Sequence, residues 1–211
     1  MLINHGANSN EKDGSGRSAL HYASSCKVID ILLTHGAEID SKDNEGKTIF
    51  LIASTHCKTE IIDYLISHGA DINTTDNDQK SALHYAVKDN RSEVVKYLIL
   101  HDINVNIADK YGKTALHYAF ENYREQTIKL LISHGANYNA KDSEGITPLH
   151  IAAMKCKLKD VKILISHGED INAKDNNEKT PAGNEKLSYY AFLFLFCIVL
   201  AFIILICFRI K

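Results

Sequence analysis

Eleven histidines and five cysteines in 211 residues are enough material for a metal centre, a general base or a thiol nucleophile, so their spacing is the first test. A structural zinc site takes cysteine and histidine in short pairs such as C-x-x-C. Cys26, Cys57, Cys156, Cys197 and Cys207 form no such pair. The histidines have addresses. Six of them (His5, His35, His68, His101, His134, His167) close an apolar stretch, and four (His21, His84, His117, His150) hold the fourth place of a recurring phrase, Ser/Thr-x-Leu-His. His56, next to Cys57, stands outside both sets. No carboxylate or second ligand recurs at a spacing that would make a nucleophile and base of that pair.

Two further patterns fail in the same way. Asp43-Asn44-Glu45-Gly46-Lys47-Thr48 ends like a phosphate loop, but it lacks the first glycine and leads from a polar turn into a helix rather than out of a buried strand. Paired carboxylates such as Asp76 and Asp78 fall in polar, turn-rich segments, where charge reads as solvation. No catalytic residue, metal site or cofactor is predicted. The charges exclude another class: before Leu187 there are 22 basic and 26 acidic residues, a net −4, which is no electrostatic footprint for nucleic acid.

The elements that carry these residues repeat. Ser81-Ala82-Leu83-His84-Tyr85-Ala86 returns as Thr114-Ala115-Leu116-His117-Tyr118-Ala119 and as Thr147-Pro148-Leu149-His150-Ile151-Ala152. Looser copies start at Thr48 and Ser18, and Thr180-Pro181 opens one more that is not completed. A second phrase, Leu-Ile-Ser-His-Gly, keeps the same beat at Leu65, Leu131 and Leu164. Thr147 and Pro148 suit the cap and first turn of a short helix. Ser92 and Glu93 suit the cap and acidic first turn of a second one, Val94 to His101, with Val94, Val95, Leu98 and Ile99 on one face. Gly69 and Gly135 end such helices, and polar segments such as Lys141 to Gly145 read as hairpins.

A 33-residue period with this phrase resembles the ankyrin repeat, and the resemblance covers about residues 1–181. It implies an all-α solenoid of helix-turn-helix-hairpin units: a truncated half repeat over 1–17 and five helix pairs starting near 18, 48, 81, 114 and 147. The same resemblance implies that the phrase histidine bonds the threonine hydroxyl and nearby backbone. Histidines at helix C-termini also suit the helix dipole. Three departures predict local strain in an otherwise unbroken stack. The first copy is three residues short between Ala23 and Val28, Asp102 stands where glycine is expected, and Leu51 stands where histidine is expected. The stub before Ser18 is a poor cap, so Leu20, Ile29 and Leu33 are predicted to be partly bare and the first 35 or so residues to be the least stable.

The resemblance also implies a binding role, in which hairpin tips and the inner face of each first helix line a groove for protein partners. The tips are Asn44-Glu45, Asn77-Asp78, Lys110-Tyr111, Ser143-Glu144 and Asn176-Asn177; the matching helix positions include Lys88-Asp89 and Glu121-Asn122. Asp78, Lys88, Asp89, Tyr111, Glu121, Asn122 and Glu144 are the predicted partner-binding residues. Tyr111 leads them, as an aromatic in a mixed polar groove.

After a linker at 175–186, residues 187–208 hold no charge. As a helix they would run about 33 Å, enough for a hydrocarbon core of about 30 Å. Tyr189 and Tyr190 suit one interface, and Arg209 and Lys211 form a basic tail over 209–211. The expected protein is a single-pass membrane protein with cytoplasmic repeats, since the start lacks a signal peptide and free thiols suit a reducing compartment. Its expected role is a non-enzymatic, membrane-tethered scaffold for protein partners, with no nucleic acid and no small-molecule substrate. The rival readings are a fragment or subunit of an ankyrin-bearing channel or transporter, which needs more spans, and an ankyrin-bearing acyltransferase, for which no Asp-His-His-Cys phrase is present.

Overall fold

The computed structural model describes residues 7–56, 59–122, 124–155 and 158–181. The stub phrase at 1–6, the span at 187–208 and the basic tail lie outside the described residues. Among those described, no helix is long and apolar enough to cross a membrane.

Within this range the fold is all helical, and the nearest approach to a sheet is a pair of isolated bridges, Thr75 to Ser81 and Ala108 to Thr114. A 3-10 turn, Ala19–Tyr22, precedes α1 (Cys26–Thr34), α2 (Ile49–Thr55), α3 (Thr59–Ser67), α4 (Ala82–Lys88), α5 (Ser92–Leu100), α6 (Ala115–Glu121), α7 (Glu125–Ser133), α8 (Pro148–Met154) and α9 (Leu158–Ser166). The chain divides into two compact units, Met1–Asn137 and Tyr138–Lys211. In the first, α4 lies between α2 and α6, while α1, α3, α5 and α7 follow one another in a second layer. In the second unit α8 packs on α9.

The repeated phrase forms the first helix of each pair through a reciprocal cap. The side chain of Ser81 accepts from the backbone of His84, whose ring accepts from the backbone N–H of Ser81. Ser18 with His21, Thr114 with His117 and Thr147 with His150 do the same. This is the capping-box arrangement with histidine in the place usually held by glutamate or glutamine. Thr48 keeps only half of it, accepting from the Leu51 N–H, because leucine has no ring nitrogen to answer with.

The second helices start two residues earlier than predicted. Ser92 is the first residue of α5, and the cap position belongs to Arg91, which makes no side-chain cap bond. Their far ends carry the histidines: Nδ1 of His35, His68, His134 and His167 bonds the carbonyl four residues back at 2.8, 2.7, 2.9 and 2.7 Å. The carbonyl must accept, so Nδ1 holds the proton. His56 closes α2 in the same way, through the Ile52 carbonyl at 2.8 Å, which gives the unassigned histidine a place in the scheme.

Two of the three departures act locally. The shortened first copy has room for a 3-10 turn only, since α1 begins three residues after Ala23. Asp102 takes φ 58° at the end of α5, where glycines in the other copies take 82° to 90°. That left-handed conformation strains a residue with a side chain, aspartate less than most. The predicted exposure at the N-terminal end is corrected: Leu20 and Ile29 are 1% and 0% exposed and Leu33 is half-buried, while Tyr22 and Val28 are the exposed apolar side chains of this pair. The stub does more than its length implied. Ser9 Oγ donates to the His35 carbonyl at 3.0 Å, Asn10 Nδ2 donates to Gly36 at 2.8 Å, and Asn10 Oδ1 accepts from Glu38 N–H at 2.9 Å. These polar residues satisfy the end of α1 that would otherwise need a further helix.

Candidate functional site

Each hairpin is organised by one aspartate. Asp109 Oδ1 accepts the N–H groups of Tyr111 and Lys113, both at 2.9 Å, and Asp43, Asp76, Asp142 and Asp175 hold their own loops by the same two bonds. The reading of Asp76 as a solvated charge is therefore wrong. Asp76 is 7% exposed, and its carboxylate replaces the hydrogen bonds the loop backbone cannot make for itself. Where the residue after the phrase histidine is tyrosine, its hydroxyl takes the other oxygen: Tyr22 donates to Asp13 at 2.6 Å, Tyr118 donates to Asp109 at 2.7 Å, and Tyr85 donates to Asp76. Burial, then the bond to the carboxylate, raises the Tyr85 and Tyr118 phenols far above their ordinary range. The signal in sequence is an aspartate nine residues before the tyrosine.

The two tip residues of a hairpin differ in role. Asn44, Asn77 and Asn176 stitch each hairpin to the one before. The backbone N–H of Asn77 donates to Glu45 at 3.0 Å and its side chain to Asn44 at 2.9 Å. A Cβ at Gly46 would lie 2.6 Å from the Asn77 backbone nitrogen, so Gly46 is required by this close approach as well as by its positive φ. These asparagines, taken in sequence as part of the variable surface, are framework. The second tip residues, Glu45, Asp78, Tyr111, Glu144 and Asn177, vary from copy to copy, and all but the half-buried Asp78 are exposed.

In the Asp109 hairpin lysine replaces the stitching asparagine, and this builds the strongest feature of the tips. Lys110 N–H still donates to the Asp78 carbonyl at 2.8 Å, but Nζ turns to the Asp78 carboxylate at 2.6 Å and lies 5.1 Å from the centre of the Tyr111 ring. Lys80 reaches the same carboxylate at 3.2 Å. Lys110 and then Lys80 hold the Asp78 carboxyl below its usual range. Tyr111 is 50% exposed. Exposed ion pairs stabilise little, so this cluster of Asp78, Lys110 and Tyr111 adds little to stability.

The other predicted residues sort by their bonds. Glu121 is paired with Lys113 at 2.6 Å. Asn122 is half-buried and donates through Nδ2 to the Tyr118 carbonyl at 2.8 Å, which makes it a closing residue of α6. Lys88 and Asp89 are exposed at the end of α4. Glu144 belongs to the second unit, where its side chain is exposed and its carbonyl accepts from Asn176 N–H at 2.9 Å. Lys110, absent from the predicted set, holds Asp78 and Tyr111 together. Among the described residues no group of three histidine, cysteine or acidic side chains is placed to hold a metal.

The family profile described as ankyrin repeats (3 copies) matches residues 24–109 and 102–175, well over half of the chain. The chain belongs to the ankyrin repeat family. Among curated proteins none matches. Among solved structures, the ankyrin repeat domain of Bcl-3, described as a unique member of the IkappaB protein family, is similar at 29% identity and a TM-score of 0.77, covering 85% of this chain and 84% of that one. The framework is what recurs between copies of this chain, and the second tip residues are where one copy differs from the next.

Proposed function

We propose that this ankyrin repeat protein is a non-enzymatic adaptor. It would hold a protein partner on the face formed by its hairpin tips and first helices, while residues 187–208 tether it to a membrane with the repeats on the cytoplasmic side. Ankyrin repeats support the protein-interaction part of this reading. The observation that carries the choice of surface is the Asp78, Lys110 and Tyr111 cluster, where a half-exposed ring lies beside a lysine already fixed by a carboxylate. Such an anchor loses little conformational freedom on binding. The membrane part rests on the uncharged 187–208 stretch alone.

Two experiments test it. The full chain in detergent, used as bait, should capture a partner that Tyr111→Ala with Glu121→Ala releases at a cost of about 2 kcal/mol or more, with the thermal midpoint nearly unchanged; equal capture by the folded variant moves the site elsewhere. Deleting 187–211 should convert a carbonate-resistant pellet into soluble protein. A truncated chain that stays in the pellet removes the tether.

A further inference from the structure

Repeat 2 lacks what its neighbours share. In repeats 1, 3 and 4 a tyrosine follows the phrase histidine, and its phenol reaches from the first helix to the hairpin, bonded to Asp13, Asp76 and Asp109. In repeat 2 that place holds Ile52, half-buried and too short to reach the hairpin. Asp43 is therefore without a phenol, and Arg17 takes its free oxygen instead, Nε to Oδ2 at 3.2 Å. Beside Ile52 a pocket of about 210 Å³ opens, lined by Arg17, His21, Lys47, Leu51, Ile52, Thr55, His56 and Tyr85.

The size and lining of the pocket limit its occupant. Small-molecule sites run from about 300 to 1,000 Å³, so this pocket has room for one side chain. Leu51 and Ile52 give it an apolar floor. Its walls carry two cations that already sit over rings, Arg17 at 5.9 Å from the centre of Tyr22 and Lys47 at 5.6 Å from that of Tyr85. The ring face is the negative pole of an aromatic quadrupole, so these cations complement an aromatic ring better than an aliphatic chain. In the neighbouring repeats the position of Ile52 carries a phenol of the chain itself, Tyr22 and Tyr85.

We propose that this pocket receives an aromatic side chain, tyrosine or phenylalanine, presented by a protein segment bound along the first-helix face. The ring takes the place of the phenol that repeat 2 does not have. This rests on the reading of that face as a partner surface, and it names the chemistry that the surface selects. The chain's own sequence supplies the blocking variant, because Ile52→Tyr fills the pocket with the residue that repeats 1, 3 and 4 already carry.

The test uses the full chain in detergent micelles and two displayed libraries of dodecapeptides, one with a fixed central tyrosine and one with a fixed central leucine, each random elsewhere. The expected result is binders from the tyrosine library alone. They should lose affinity about thirtyfold or more on Ile52→Tyr, with the variant's urea midpoint equal to or above the parent's. Binders drawn equally from the leucine library, binders indifferent to Ile52→Tyr, or no binders from either library would each overturn the proposal. Peptides insensitive to Ile52→Tyr but weakened by Tyr111→Ala would overturn the pocket while leaving the partner surface standing. If Ile52→Tyr fails to fold, Ile52→Phe and Lys47→Gln are read in its place, with the same loss expected from either.

Discussion

His84 in the first unit and Glu169 in the second are both buried polar side chains next to the start of a first helix, and they differ in how completely they are answered. His84 is 2% exposed. Its Nδ1 accepts from Ser81 N–H at 3.0 Å, and its Nε2 donates to the Lys113 carbonyl of the following hairpin at 2.9 Å. Glu169 is 4% exposed and stands where Ala37, Ala70 and Ala136 stand in other copies. Its Oε1 accepts from Leu149 N–H at 2.9 Å, while Oε2 is buried without a hydrogen-bond partner. The histidine belongs to a template that supplies both of its partners in each copy built alike. The glutamate is a departure in one repeat, and the template has nothing ready for its second oxygen.

The two groups also answer pH in opposite directions. Burial lowers the His84 pKa, against opposing contributions from the Lys113 carbonyl, Asp109 and Asp76, so the folded state holds the ring neutral. Its contribution is complete above the unfolded value near 6.5 and is lost as pH falls below it. Burial pushes Glu169 up to about 7 from 4.5. The folded state therefore holds the proton longer than the unfolded one. Stability falls as pH rises from about 4.5 to 7, and above 7 the second unit carries a poorly answered charge.

The largest effect that tests this contrast is expected from His84→Ala. It leaves the Ser81 N–H and the Lys113 carbonyl without the ring, and should cost about 3 kcal/mol in urea unfolding at pH 7.5. A loss under about 1 kcal/mol would mean that water replaces the imidazole and that the reciprocal cap is not the reason for the residue. Next comes Glu169→Ala, which restores the residue of the other copies. It should stabilise the second unit by about 2 kcal/mol at pH 8, and the gain should vanish near pH 4.5, where the neutral acid is tolerated and its bond to Leu149 is lost. The same gain at both pH values would place the cost in packing instead of charge. The smallest effect is expected from Asp102→Gly, which relieves a left-handed aspartate in the first unit and should add about 0.5–1 kcal/mol. Urea unfolding that shows no gain, or a loss, would mean that the left-handed turn costs this aspartate nothing.

Period, phrase and helix pairing were legible in the sequence because they follow from local rules: a capping pair, an apolar stripe and a glycine at the helix end, repeated every 33 residues. That is also why the histidines could be assigned to framework before any coordinates. Three things were decided only by tertiary structure. The tip asparagines look variable in a single copy, and their role appears only when the next hairpin comes within hydrogen-bond distance, as Asn77 does with Glu45 and Asn44. Asp76 looks like a surface charge until its loop folds around it and Tyr85 arrives from nine residues away. The pocket beside Ile52 cannot be seen in repeat 2 alone, because His21 and Tyr85 from the copies on either side also line it. A sequence states which residue occupies a position, whereas the free energy of a buried polar atom or an empty step depends on what neighbouring copies bring to it. Local pattern therefore determined the repeat of this protein, and packing between successive copies decided which of its side chains are framework.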